Sequence, residues 1–317
     1  MNCSIIICTR NRASMLEATL RAFQSVVIPP EWKVEMLVVD NGSTDHTEQV
    51  VESASHPAIA IRYIFEPAPG KSRAQNTAVR AARGEVLLFT DDDIEPASNW
   101  VECMAKPILG DECDAVTGKI ILAESLHRPW FSPMHKMWLA EVLVPLGGIH
   151  GLVGASMGIH RKVFEEVGPF DEELGPGASG YGEETLVWMQ MKEAGMRVKG
   201  VEATHVIHHP DPSRLLRSSW LEAAARYGRT SAYVNHHWEH SVERFPAMQM
   251  FLVGCKLALR GLLRKSSSRN GEGCPEWEMS YITRVEYFRN FIHESRKPRN
   301  YERRALRKIT HPTSDAG

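Results

Sequence analysis

The chain has 317 residues, 43% hydrophobic and 24% charged, which is ordinary globular composition and enough for one large domain or two modest ones. Its net charge of −2 and pI near 6.7 exclude a global basic field, so no nucleic-acid partner is expected. Six cysteines, at 3, 8, 103, 113, 255 and 274, form no C-x-x-C pair and predict reduced thiols in a cytosolic protein, not a disulfide framework.

Strands and helices alternate through the first hundred residues. SIIIC (4–8) is a short apolar run with nothing before it that resembles a signal peptide, and it predicts a buried strand. RASMLEATLRAFQSV (12–26) has helical spacing, VEMLVVD (34–40) is a second strand ending in an acid, and TDHTEQVVESA (44–54) reads as a capped helix. IRYIFEP (61–67) is a third strand, KSRAQNTAVRAAR (71–83) a helix stopped by Gly84, and EVLLFT (85–90) a fourth strand. This alternation predicts β-α-β crossovers and a mostly parallel sheet, with ligands outside the carboxyl ends of the strands.

Beyond residue 113 the pattern loosens. DAVTGKIIL (114–122) predicts a strand, and residues 123–151 show no period. Uncharged 142–160 reads as loop and buried strand rather than a membrane span. VFEEVGPFDEELG (163–175) predicts a short helix and turn, PGASGYG (176–182) a flexible loop, and EETLVWMQMKEAG (183–195) a helix. RVKGVEATHVIHH (197–209) is a strand running into histidines, and 213–237 and 246–264 read as helices. SSSRNGEGCPE (266–276) is a linker-like break before a basic helical tail. Residues 256–308 hold 14 Lys/Arg against 6 Asp/Glu.

Three of the first four strands end in polar clusters: TRNR, DNGSTD and DDD. In FTDDDIEP (89–96) three like charges stand together at a strand end. One reading is a solvated turn that caps the next helix. The other is a divalent cation, because Mg²⁺ and Mn²⁺ take oxygen ligands and keep positions open for phosphates. Asp91 and Asp93, two apart on an extended turn, would reach such an ion with Asp92 turned away.

The order of ICTRNR, VVDNGSTDHT, PGKSRAQNTAVRAARGE, FTDDDIEP and GPFDEELG…GYGEETLVWMQMKEAG resembles the family 2 glycosyltransferases, from about Ser4 to Gly195 and more weakly to Tyr233. The resemblance implies a nucleotide-sugar-dependent GT-A fold: an α/β, Rossmann-like, mostly parallel central sheet flanked by helices. It divides the chain into a glycosyltransferase domain at 1–237 and a basic helical extension at 238–317. Within that domain, 1–95 would be the nucleotide-binding half and 96–237 the acceptor and catalytic half.

By the same resemblance Thr9, Asp40, Arg73, Asp91 and Asp92 would bind the donor nucleotide, and Asp93, Asp91 and His208 would hold Mn²⁺ or Mg²⁺. Asn41 stands where the family often has a second Asp, and Gln75 where Arg is frequent, while Asn76 matches. His208 is chosen because it lies six residues before Arg214, with His209 as its understudy. Taken without the resemblance, Asp40 is a strand-end cap and Arg73 a surface helix charge.

The implied activity is hexosyl transfer with inversion, of the kind used in polysaccharide and cell-envelope synthesis. It needs a base for the acceptor hydroxyl and a charge sink for the departing diphosphate. The family's base is the acid of a G-x-E-D segment. Here the segment is GYGEET, which points to Glu184 ahead of Glu183, although a first-turn acid pair also suits a helix dipole without any chemistry. The expected partners are a nucleotide-sugar donor and a glycan or lipid-linked acceptor. Trp130, Phe131, His135 and Trp138 would face that acceptor or else form a local apolar cluster. The helix FLVGCKLALRGLL, bordered by Arg260, Arg264, Lys265 and Arg269, either docks on the domain or lies on an anionic membrane surface. The expected location is cytoplasmic, including the inner face of the cell membrane. Two rival readings are a silent nucleotide-sugar-binding protein and a nucleotidyltransferase; the second is disfavoured by the lack of a Gly-rich triphosphate loop near the first strand.

Overall fold

The computed structural model describes residues 1–146, 151–263 and 271–309. The first half runs β1 (Cys3–Thr9), α1 (Ala13–Ala22), β2 (Val34–Asp40), α2 (Thr47–Ser53), β3 (Ile59–Phe65), α3 (Lys71–Ala81) and β4 (Val86–Thr90). There follow β5 (Ile94–Pro96), α4 (Trp100–Leu109), β6 (Ala115–Leu122), α5 (Pro133–Trp138), β7 (Met157–His160) and α6 (Lys162–Val167). The chain then forms α7 (Glu183–Glu193), β8 (Val198–His208), α8 (Arg217–His237), α9 (Pro246–Leu263) and α10 (Glu276–Glu294).

Among the described residues eight strands make one sheet in the order β3-β2-β1-β4-β7-β6-β8-β5. β1 to β4 are parallel, β7 runs antiparallel to β4 and β6, and β5 is an antiparallel edge strand on β8. β1 shows why its sequence is apolar throughout. Ile5 and Ile7 pack with Leu16, Leu20 and Trp100 on one face, whereas Ile6 packs with Ala74, Ala78 and Phe164 on the other. A sheet buried on both faces loses the apolar–polar alternation that a one-sided sheet keeps. The chain leaves β1 toward β2 and β3, then returns to place β4 on the opposite side of β1. A crevice therefore opens between the carboxyl ends of β1 and β4, at the reversal of strand order.

Several boundaries differ from expectation. The first helix ends at Ala22 in a short 3₁₀ turn. The aperiodic segment contains α5, whose Ser132 and His135 form a reciprocal cap, a signal hidden because His stands where Glu or Gln is usual. The helix that follows the DDD turn is α4, with Pro107 inside it. Among the described residues the tail is helical only to Glu294. α10 packs along α8, and residues 300–308 return to the domain, where Tyr301 and Lys308 both bond the buried Asp171. The proposed linker and the basic residues Arg264, Lys265 and Arg269 lie largely outside the described residues. Among the described residues no helix is long and apolar enough to cross a membrane.

Candidate active site

A cleft of about 640 Å³ opens where β1, β4, α3 and α7 converge. The loop after β1 supplies Thr9 and Arg12. Thr9 Oγ1 donates to Asp92 Oδ2 at 2.6 Å, and the Arg12 guanidinium spans Asp92 Oδ1 at 2.5 Å and Asp93 Oδ2 at 2.6 Å. Asp92 is therefore not turned away, as the extended-turn reading expected. It is buried and lines the cleft, because Arg12 and Thr9 give it the partners that water would otherwise provide. Burial outweighs Arg12 and pushes its carboxyl up to about 6.

Asp93 behaves differently. Burial would raise it, but His208 and Arg12 prevail and hold its carboxyl well below the usual carboxylate range. The antiparallel register Ile94↔His208 carries the histidine to this point. His208 Nδ1 lies 2.9 Å from the carbonyl of Leu139, so the ring donates there and turns Nε2 into the cleft. That nitrogen faces Asp93 Oδ1 at 3.3 Å, and Oδ1 is buried without a hydrogen-bond partner. A proton on Nε2 or a metal cation would each satisfy this oxygen. Asp91, Asp93 and His208 each bring a ligand atom to within 4.8 Å of the others. Carboxylate oxygens with one imidazole suit Mn²⁺ or Mg²⁺, so the residues fit the expected ion. His209 points away and pairs at 3.5 Å with the exposed Glu95.

The opposite wall comes from α3 and α7. Lys71 Nζ sits 2.8 Å from Asp91 Oδ1 and 3.9 Å from Glu183 Oε1. Burial would lower the ammonium, but Asp91, Glu183 and Glu184 outweigh it and keep it firmly charged. Glu183 is buried, and burial together with the neighbouring Glu184 raises its carboxyl well above the ordinary range. Glu184 also lines the cleft, and its Oε2 is buried without a hydrogen-bond partner. The Gly-rich loop makes this approach feasible. Gly182 precedes α7 at φ +92°, and a Cβ there would sit 2.6 Å from Thr230 Cγ2. A Cβ on Gly177 would press to 3.0 Å on Gly70 Cα, where the loop lies against the start of α3.

Other expected residues are placed as follows. Asp40 is buried at the end of β2, where it accepts from the Ser43 amide at 2.7 Å and the Tyr63 hydroxyl at 2.9 Å; its neighbour Asn41 lines the cleft. Arg73 lies outside the cleft and pairs with Glu172 at 3.0 Å. Asn76 bonds the backbone of Phe170 in both directions, and Gln75 is buried. Trp130, Phe131 and His135 pack around Trp220, whereas Trp138 reaches the cleft. There it stacks on Tyr227 with ring centres 4.6 Å apart, and Tyr227 stacks on Tyr181 at 4.5 Å. Arg12, Lys71, Tyr181 and Tyr227 escaped the sequence reading. Lys71 carried a usable signal: it opens the same helix as Arg73, on a different face.

The profile of glycosyl transferase family 2 matches residues 4–168. Glycosyltransferase AglE of Haloferax volcanii is 33% identical over 172 residues, 54% of this chain and 56% of that protein. The probable glycosyltransferase YdaM of Bacillus subtilis is 24% identical over 247 residues, 73% of this chain and 55% of that protein. The chain thus spans about half the length of these relatives. The mannosyltransferase PcManGT of Pyrobaculum calidifontis, solved with GDP-Man and Mn²⁺, superposes with a TM-score of 0.57 at 17% identity, covering 93% of this chain and 86% of that one. The chain belongs to glycosyl transferase family 2 and has the GT-A fold, a mostly parallel α/β sheet flanked by helices.

Proposed function

We propose that this chain is a metal-dependent, inverting glycosyltransferase that moves a sugar from a nucleotide-diphosphate sugar to an acceptor hydroxyl. The observation that carries the reading is the cluster at the cleft floor, where Asp91, Asp93 and His208 bring ligand atoms within 4.8 Å of one another. A family match and a fold shared with a transferase solved with GDP-Man and Mn²⁺ support the same reading.

Asp91, Asp93 and His208 would hold Mn²⁺ or Mg²⁺. The ion would supply positive charge to the diphosphate as it leaves. Arg12 fixes the carboxylates of Asp92 and Asp93, so no side chain has to reorganise as charge develops. Lys71 adds a second positive charge to the same wall. Thr9 and Asn41 line the donor side, with Asp40 buried behind Asn41. The acceptor, a glycan or lipid-linked saccharide, would lie along Trp138, Tyr181 and Tyr227.

Glu184 takes the role of base, because it lines the cleft and its Oε2 is buried with no hydrogen-bond partner and so can receive a proton. The acceptor oxygen attacks the anomeric carbon, the bond to the phosphate oxygen breaks, and the nucleoside diphosphate departs with the electron pair. The acceptor proton passes to Glu184.

Calorimetric titration with UDP, GDP, dTDP and CDP, with Mn²⁺ and then with EDTA, tests the donor site. Tight, metal-dependent binding of one diphosphate is expected. No binding of any of the four, with or without metal, would remove the donor site from this reading. Metal-dependent binding without transfer across a broad acceptor screen would leave a nucleotide-sugar-binding protein.

A further inference from the structure

α9 packs on α10 along one side and leaves its opposite side uncovered. Met248, Phe251, Leu252, Leu259 and Leu262, with Phe245 just ahead of the helix, are 48–84% exposed. At 100° per residue these side chains fall within an arc of about 120°, one continuous apolar face. Isolated exposed apolar residues need no explanation, but a face of this kind marks a contact. Among the described residues the same helix is not long and apolar enough to cross a bilayer.

The charge around this face identifies the contact. Between Glu243 and Glu272 the sequence holds six Lys/Arg and no Asp or Glu, and Arg244, Lys256 and Arg260 are the three among the described residues. Lys256 is exposed beside the apolar arc, Arg244 is exposed ahead of the helix, and Arg260 is drawn over the rings of Trp277 and Tyr281 at 5.2 and 5.9 Å. A second copy of the chain would bring cations against cations. A surface of anionic phospholipid headgroups over acyl chains offers the opposite charge and a place for the apolar face. We propose that α9 is an interfacial helix that binds this chain to an anionic membrane surface. The inference stands apart from the transferase reading, since it uses no residue of the cleft.

Flotation of the full chain tests it, with vesicles of phosphatidylcholine alone and of equal parts phosphatidylcholine and phosphatidylglycerol. Binding is expected only to the anionic vesicles, weakening as salt rises. Phe251→Glu with Leu259→Glu should lower the bound fraction at least about tenfold, and Lys256→Glu by about threefold, with an unchanged melting temperature and unchanged nucleotide binding. Lys256→Glu leaves the apolar face intact, so it remains informative if the double variant fails to fold. Absence of binding to either vesicle, or equal binding to both, would overturn the proposal. So would a dimer in solution by light scattering that the double variant dissolves, which would assign the face to a second copy.

Discussion

The two walls of the cleft carry similar charge and treat it in opposite ways. On the β1/β4 side, Asp92 and Asp93 are tied by Thr9 and Arg12, and Arg12 alone bridges both acids. One oxygen there is left over, and it faces an imidazole nitrogen. On the α7 side, the one cation within ion-pair distance of Glu183 among the described residues is Lys71, at 3.9 Å, and burial with Glu184 raises the Glu183 carboxyl. A wall with fixed negative charge suits binding a cation. A wall whose protonation can change suits moving a proton. The contrast depends on where each acid's partners come from, since all are Asp or Glu near a strand or helix end.

The sharpest way to break this comparison is at Asp93. Asp93→Asn should cut turnover by about 10³-fold or more and abolish metal-dependent nucleoside diphosphate binding, as read by calorimetry. Normal turnover in that variant would end the assignment of the cation wall. Glu184→Gln should cost about 10²- to 10³-fold in turnover while leaving donor affinity within about twofold. Should Glu183→Gln give that pattern instead, the base is the residue before. Lys71 joins the two walls, and Lys71→Met should lower turnover by about 10- to 100-fold, because it removes one charged hydrogen bond from the cleft. Single-turnover kinetics of that variant would show whether the loss lies in donor binding or in transfer.

The smallest effect lies away from the cleft and provides a control. Asp171 is buried and accepts from Tyr233 at 2.6 Å, Tyr301 at 2.8 Å and Lys308 at 2.8 Å. Burial would raise its carboxyl, but Lys308 and Tyr233 outweigh it and hold it below its ordinary value. Its stabilising contribution is therefore complete above the unfolded value, about 3.9, and is lost as pH falls through the lower folded value. Lys308 is part-exposed, so Lys308→Met should lower stability by only about 1 kcal/mol, seen as a shift of the urea midpoint at neutral pH. The difference between variant and parent should vanish in strong acid. A loss of nucleotide binding in this variant would mean that the returning tail also shapes the cleft.

Much of the framework was legible. β1, β2 and β4 announce themselves as apolar runs ending in polar clusters, because strands buried on both faces admit few polar residues. His208 was found by its spacing to Arg214, and the structure brings it to Asp93 through the β5–β8 register. Less was legible where helix phase decides. Arg73 drew attention as a basic residue at the start of α3, yet Lys71 faces the cleft. Positions two apart on an α-helix, such as Lys71 and Arg73, lie about 200° apart, so both cannot point the same way. Arg12 was unreadable as a clamp because its acids lie 80 and 81 residues further along the chain.

The sequence by itself determined the alternating sheet, the acids at its carboxyl ends and the family. Those features arise from local pattern and motif order. Only the tertiary structure decided which carboxylate oxygen is satisfied and which is left facing the His208 imidazole. A buried acid takes its protonation and bonding from whatever the fold brings within hydrogen-bond reach, and here those partners come from across the sheet.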